Sequence, residues 1–176
     1  MSNNKLVTPL CELAHKYGTD KCKRIKHPFT PFYFKLFNKK RYSIKKVLEL
    51  GVFTGSSLRM WRDFFPNAQI YGLEINPTHL VQEDRIKTFL CDATQEEEVK
   101  RVIDEIGTNI DLFIDDGSHI VGHQIATCSI LRPLLKEATY IIEDVLDVSE
   151  LRKNFDIEVP ELEGAVYNDD VLVIVK

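Results

Sequence analysis

No apolar run in this chain of 176 residues reaches the roughly twenty residues a bilayer crossing needs, so no membrane partner is expected. The opening Met-Ser-Asn-Asn-Lys lacks the apolar stretch of a secretory signal, which points to a cytoplasmic location. Cysteine is sparse. Cys11, Cys22, Cys91 and Cys128 form no Cys-x-x-Cys pair and no histidine cluster stands at zinc spacing, so a metal finger is not expected and the thiols read as reduced. Glycine is also scarce, and the third glycine of a dinucleotide fingerprint is missing, which disfavours a dehydrogenase. Internal repeats and low-complexity segments are absent. Acids are absent between Lys21 and Leu48, where ten Lys or Arg residues fall together. Such a run either faces an anionic substrate or is the solvated surface of a helix and loop.

What is present is the composition of a globular chain, 44% hydrophobic and 28% charged, at a length that suits one well-buried domain. Its centre is Val47 to Ser57, where a strand-like run ends in a two-glycine turn and passes into an amphipathic helix. Gly51 and Gly55 leave the backbone bare at that reversal, so a ligand can approach the amides. Glu49 before the turn and Glu74 at the end of the next apolar run add carboxylates on the same edge. An acid at the end of the second strand is suited to accepting hydrogen bonds from ribose hydroxyls. These features together predict a nucleoside-cofactor site.

The flanking sequence supports this frame. Apolar spacing predicts a helix over Leu10 to Tyr17, stopped by Gly18, then a basic loop to Pro31 and a helix over Phe32 to Asn38. The aromatic residues of that helix suit a core, although with the basic residues they could also stack on a nucleic acid. Strands are expected at Val47–Gly51, Gln69–Ile75, Arg85–Cys91, Ile110–Asp115, Thr139–Ile142, Asp156–Val159 and Val171–Val175. Helices are expected at Ser56–Phe65, Gln95–Ile106, His119–Leu135 and Val148–Phe155, with Ser56 or Ser57 capping the first of these. Strands that are continuously apolar and alternate with helices form a parallel sheet covered on both faces, and the last two close its edge as a hairpin. Residues 1–44 are then a helical and basic segment packed on a compact unit over 45–176.

The expected strand ends are rich in acids. Asp115-Asp116-Gly-Ser-His119 follows the fourth strand and Glu143-Asp144 the fifth, with Glu74 and Asp92 on the same edge. Like charges at close range need a cation or hydrogen bonds to offset them, and magnesium prefers such oxygen ligands. Asp116, Glu143 and Asp144 are the candidate ligands, with Asp115 able to replace Asp116. His119, at the expected helix start, is the candidate base for a hydroxyl proton, with His123 one turn on. The same residues also make sense as a turn and helix start, where Asp and Ser satisfy free amides.

Glu49-Leu-Gly-Val-Phe-Thr-Gly55 resembles the first motif of class I S-adenosylmethionine-dependent methyltransferases, in particular the metal-dependent O-methyltransferases. Lys16-Tyr-Gly-Thr-Asp-Lys21, Ser57-Leu-Arg-Met-Trp61, Phe65-Pro-Asn67, Ile114-Asp-Asp-Gly-Ser-His119 and Ile142-Glu-Asp144 resemble the branch containing macrolide-sugar O-methyltransferases and cephalosporin hydroxylase-like proteins. The resemblance runs from Leu13 to Val145. It implies a Rossmann-like, doubly wound α/β fold with seven mostly parallel strands, the last antiparallel. It also implies that Glu49, Gly51 and Gly55 approach the amino-acid part of S-adenosylmethionine, Glu74 its ribose and Asp92 its adenine. Ser56 and Asp115 are counted with the cofactor residues, and Tyr17 and Thr19 with the entrance. Asp116, Glu143 and Asp144 would hold magnesium, and His119 with Asp116 would be catalytic. Lys136-Glu-Ala-Thr139 departs from the family, which commonly has paired glycines there. The implied acceptor is a small-molecule hydroxyl, sugar-like or anionic, with a homo-oligomer as a further expectation. The lack of an Asn-Pro-Pro-Tyr or Asp-Pro-Pro-Tyr signature argues against nucleic-acid bases. The rival reading is a non-catalytic nucleoside-binding module serving as a regulatory or assembly subunit.

Overall fold

The structure is a computed structural model and describes residues 7–176; the opening residues read above for a signal lie outside it. In chain order the elements are α1 (Pro9–Tyr17), α2 (Phe29–Phe37), β1 (Lys46–Leu50), α3 (Ser56–Phe64), β2 (Gln69–Glu74), β3 (Gln82–Glu83) and β4 (Ile86–Leu90). They continue with α4 (Glu96–Ile106), β5 (Leu112–Asp115), α5 (Val121–Leu134), β6 (Thr139–Ile142), α6 (Val148–Asn154), β7 (Ile157–Glu158) and β8 (Val173–Val175). No helix among the described residues is long and apolar enough to cross a membrane.

One sheet holds all the strands, in the order β3-β4-β2-β1-β5-β6-β8-β7. From β4 to β6 the neighbours pair in parallel, as strands joined by helical crossovers must. β8 lies antiparallel between β6 and β7, so the second strand of the closing pair sits inside the sheet and the first at its edge. Among the described residues the strand count is eight, against the seven expected. The addition is β3, two exposed residues paired antiparallel to β4, too short and too polar to give a periodic signal.

Alternation along each strand divides the core in two. Val47, Ile70, Leu112, Ile114 and Ile141 face α1, α2 and α3, whereas Leu48, Leu73, Phe113, Tyr140 and Ile142 face α4, α5 and α6. The first layer is aromatic, with Tyr33, Phe37, Trp61, Phe64 and Phe65 all fully buried. Fully burying each such side chain contributes about 1.5–3 kcal/mol. The residues ahead of β1 therefore share a core with α3, and α1 and α2 cover one face of the sheet.

Three local expectations are corrected. α2 begins at Phe29, inside the segment read as loop, because a proline at position 31 falls in the first turn, where its missing N–H costs nothing. The N-cap of α3 is Gly55 in the left-handed region, and no side chain caps it, so neither Ser56 nor Ser57 plays that part. α5 starts at Val121, and His119 stands before it with φ +59. Of the four left-handed non-glycine residues among those described, Arg85 lies in the turn between β3 and β4, and Phe53, His119 and Asp144 follow the carboxyl ends of β1, β5 and β6. Such backbone strain collects at functional sites.

Candidate active site

The strand order reverses its direction of growth between β1 and β5, and in an open α/β sheet that is where ligands bind. A cavity of about 540 Å³ lies there, lined by the turns after β1, β2, β4 and β5 and by Gly18 to Asp20. Its floor requires glycine at position 51. With φ +92, a Cβ on Gly51 would overlap the Asp116 carbonyl oxygen, so the β1 turn and the end of β5 touch through bare backbone.

Glu74 closes the opposite side. Its Oε2 accepts the Val52 and Phe53 amides, each at 3.0 Å, and its Oε1 accepts the Asn76 amide at 2.8 Å. Burial pulls this carboxyl upward, but the three amides outweigh it and hold Glu74 below the usual carboxylate range. The group stays ionised and locks the glycine turn in place. Asp92 Oδ1 accepts from both the amide and the hydroxyl of Thr94, ordering the loop after β4.

Behind the cavity is a polar network that the sequence concealed. Lys21, only 1% exposed, places Nζ 2.5 Å from Asp116 Oδ2, 3.2 Å from Glu49 Oε1, and also on Glu143 Oε2. Tyr33 donates to Glu143 Oε1 at 2.6 Å, and Trp61 Nε1 donates to Glu49 Oε2 at 3.0 Å. Burial lowers the lysine's proton affinity, but Asp116, Glu143 and Glu49 more than restore it and keep Lys21 charged. Burial pushes Glu49 up to about 7, against the pull of Lys21. Part of the cation that the crowded carboxylates demanded is therefore a lysine drawn from the basic segment. No periodicity marked it; the available signals were its place at the end of the Lys16–Lys21 motif and an excess of acids at the strand ends beside a run without acids.

On the cavity side of this network, His119 Nε2 lies 3.2 Å from Asp116 Oδ1 and 3.6 Å from Asp144 Oδ2. The Asp116 hydrogen bond is the main reason the imidazole is held above its ordinary value, with Asp144 adding to it and burial opposing. Burial pushes Asp144 up to about 6, offset in part by His27. His123 instead pairs with the Ser118 hydroxyl at 2.8 Å, so the two histidines serve different partners.

Of the residues singled out from sequence, Thr19, Gly51, Ser56, Glu74, Asp92, Asp115, Asp116 and His119 line the cavity. Glu49 is sealed behind Lys21 and Trp61. Tyr17 turns its hydroxyl to Asp63 at 2.5 Å, and Gly55 packs near Val81 and Arg59. Asp116, His119 and Asp144 present donor atoms within 4.8 Å of one another, while both Glu143 oxygens face Lys21 and Tyr33. A hard divalent cation fits this oxygen-rich corner, where Asp116 Oδ1 and Asp144 Oδ2 converge beside His119. A nucleoside-sized ligand fits the cavity by volume. Asp20, Gln124 and Thr127 also line it and were not foreseen.

A family model described as FtsJ-like methyltransferase matches residues 29–168. Over 144 residues the chain is 40% identical to the mycinamicin VI 2''-O-methyltransferase of Micromonospora griseorubida, covering 77% of this chain and 36% of that one. It is 38% identical to the 8-demethyl-8-(2-methoxy-alpha-L-rhamnosyl)-tetracenomycin-C 3'-O-methyltransferase of Streptomyces olivaceus, with the same coverage. The chain thus spans about a third of the length of the curated relatives it matches. Among solved structures it is similar to the MycE methyltransferase in complex with Mg and SAH, with TM-score 0.78 and 30% identity over 96% of this chain and 54% of that one. The complex of MycE with Mg, SAH and mycinamycin VI matches with TM-score 0.76 and 31% identity, again over 96% of this chain and 54% of that one.

Proposed function

The chain belongs to the FtsJ-like methyltransferase family, and from that premise we propose that it is a magnesium-dependent O-methyltransferase moving a methyl group from S-adenosylmethionine to a hydroxyl of a sugar-like small molecule. One observation carries this reading: His119 Nε2 stands beside Asp116 and Asp144 on the wall of the cavity that Glu74 closes. The relatives named as sugar O-methyltransferases, and a similar structure holding Mg and SAH, support it.

Gly51 and the turn after β1 bring backbone against the amino-acid end of the donor, Glu74 accepts from its ribose and Asp92 faces its adenine. Ser56 and Asp115 complete the lining, and Thr19 stands at the entrance. Asp116 and Asp144 would hold the cation, with Glu143, whose oxygens face Lys21 and Tyr33, as the third carboxylate beside it. Magnesium, when bound, supplies positive charge that makes a neighbouring hydroxyl more acidic. The acceptor oxygen attacks the methyl carbon as the carbon–sulfur bond breaks, the sulfonium leaves as a neutral thioether, and the hydroxyl proton passes to His119 Nε2. For that task the imidazole must start neutral. A cation held by Asp116 and Asp144 would offset the two carboxylates that keep the proton on His119 and so favour its basic form.

Calorimetric titration with S-adenosylmethionine and S-adenosylhomocysteine, with magnesium or with a chelator, is the first test. Micromolar binding and transfer of a labelled methyl group to a glycoside hydroxyl are expected. Binding with no transfer to any glycoside would favour a non-catalytic nucleoside-binding module, and no binding at all would remove the cofactor assignment. His119→Ala is expected to lower turnover about 10²–10⁴-fold while leaving donor affinity within about twofold.

A further inference from the structure

Behind Asp144, on the side away from His119, a second group of donors converges where none of the chemistry above uses it. His27, Asp144 and Asp169 each offer an atom, all within 4.8 Å of one another. His27 is 1% exposed and Asp144 3%. His27 Nε2 and Asp144 Oδ1 lie 3.3 Å apart, and neither has a hydrogen-bond partner among the described residues.

The ring is held for this contact. His27 Nδ1 is 2.7 Å from Asp170 Oδ1, and the ring stacks on Phe29 at 4.8 Å and 8°. An ionised carboxylate only accepts, so Nδ1–H donates to Asp170 and the ring's other nitrogen, Nε2, is aimed at Asp144 Oδ1. Asp170 is itself fixed, because its Oδ2 accepts the Val166 and Tyr167 amides at 2.5 and 2.8 Å. Two buried atoms of metal-ligating type then lie against each other, and the contact calls for positive charge, supplied by a proton on Nε2 or by a metal ion that replaces it. A histidine that gives its other N–H to a carboxylate is the usual form of a metal ligand. The spacing agrees, since tetrahedral bonds of about 2.0–2.1 Å put neighbouring ligand atoms about 3.3–3.4 Å apart.

We propose that His27, Asp144 and Asp169 form a second cation site, suited to a first-row divalent ion of the zinc type, with water as the remaining ligand. One nitrogen and two carboxylates suit such an ion better than magnesium, which prefers oxygen alone. Asp144 turns Oδ1 to this site and Oδ2 to His119, so it bridges the two centres. The ion ties together three segments: the loop before α2, the end of β6 and the turn before β8. Lys26, which sits 3.1 Å from Asp169 Oδ2 and is 41% exposed, competes for one ligand and swings outward on binding.

The test is titration of chelator-stripped protein with zinc in excess magnesium, read by calorimetry, by bound zinc per chain and by melting temperature. One zinc per chain and a raised melting temperature are expected. His27→Ala and Asp169→Ala each weaken zinc binding at least about tenfold. Lys26→Gln strengthens it, and Asp116→Asn leaves it within about threefold. Equal affinity in the wild type and in a folded His27 or Asp169 variant overturns the site. So does loss of zinc in Asp116→Asn alone, which would put the ion beside His119. Should His27→Ala not fold, Asp169→Ala, at a half-buried turn, carries the test. Magnesium-dependent methyl transfer is measured separately, so the two readings fail independently.

Discussion

Gly51→Ala probes the contact on which the whole site is built, and Gly18→Ala supplies its control. Both glycines are left-handed, at φ +92 and +74, so an alanine at either position carries the penalty of that conformation, about 1–2 kcal/mol. The surroundings differ. A Cβ at position 18 meets nothing within 4 Å, whereas at position 51 it overlaps the Asp116 carbonyl, a backbone atom that cannot rotate away. Overpacking of that kind adds about 1–3 kcal/mol. Gly51→Ala should therefore cost about 2–5 kcal/mol in urea unfolding, or about 4–20 °C in melting temperature for a chain of this size. Gly18→Ala should cost only the first part. Forcing the β1 turn from the end of β5 also displaces Asp116 and the floor of the cavity, so S-adenosylhomocysteine affinity should fall more than tenfold in Gly51→Ala. Equal destabilisation by the two variants, or wild-type cofactor affinity in Gly51→Ala, would refute the argument.

Glu74→Ala removes the acceptor of the Val52, Phe53 and Asn76 amides, so calorimetry should show donor affinity reduced at least about tenfold, with a loss of about 1–3 kcal/mol in stability. Lys21→Met leaves Glu49, Asp116 and Glu143 without their buried counter-charge, and about 3–5 kcal/mol of stability should be lost at neutral pH; magnesium should restore part of it, as a melting series will show. Glu49 gives a pH signature. Its folded value of about 7 lies above the unfolded 4.5, so between those values the folded chain binds more protons, and stability falls as pH rises through that window. Glu49→Gln should flatten the decline in melting temperature between pH 5 and 8, and an unchanged slope would assign it to other groups. Asp170 has the opposite sign. Burial raises its carboxyl, but the Val166 and Tyr167 amides and His27 outweigh that and hold it low; its contribution is complete above 3.8 and is lost in more acid solution, where Asp170→Asn should lessen the dependence.

Much of this protein is determined locally and can be read along the chain. Apolar runs such as Val47–Leu50 and Leu112–Asp115, short and followed by turn residues, read as buried strands, and the helical spacing of Leu58 and Trp61 sets the inward face of α3, because burial follows a period of 2 or 3.6 residues. Gly18 as a helix stop and the acidic first turn of α4 are equally local. The glycine turn, Glu74, and the Asp115–His119 and Glu143–Asp144 pairs follow from the rule that ligands meet an open sheet at the carboxyl ends of its strands. What only the tertiary structure decided is which charges face one another. Lys21 looked like one residue of a solvated basic run, and it lies among three carboxylates from β1, the end of β5 and the end of β6. Glu49 looked like a cofactor residue and is sealed behind Lys21 and Trp61, while His27, in a segment read as loop, is held by Asp170 from 143 residues away. Periodicity records whether a side chain is buried; it carries no information about which distant partner makes burial of a charge tolerable. That partner is fixed only when loops far apart in sequence close over the same strand ends.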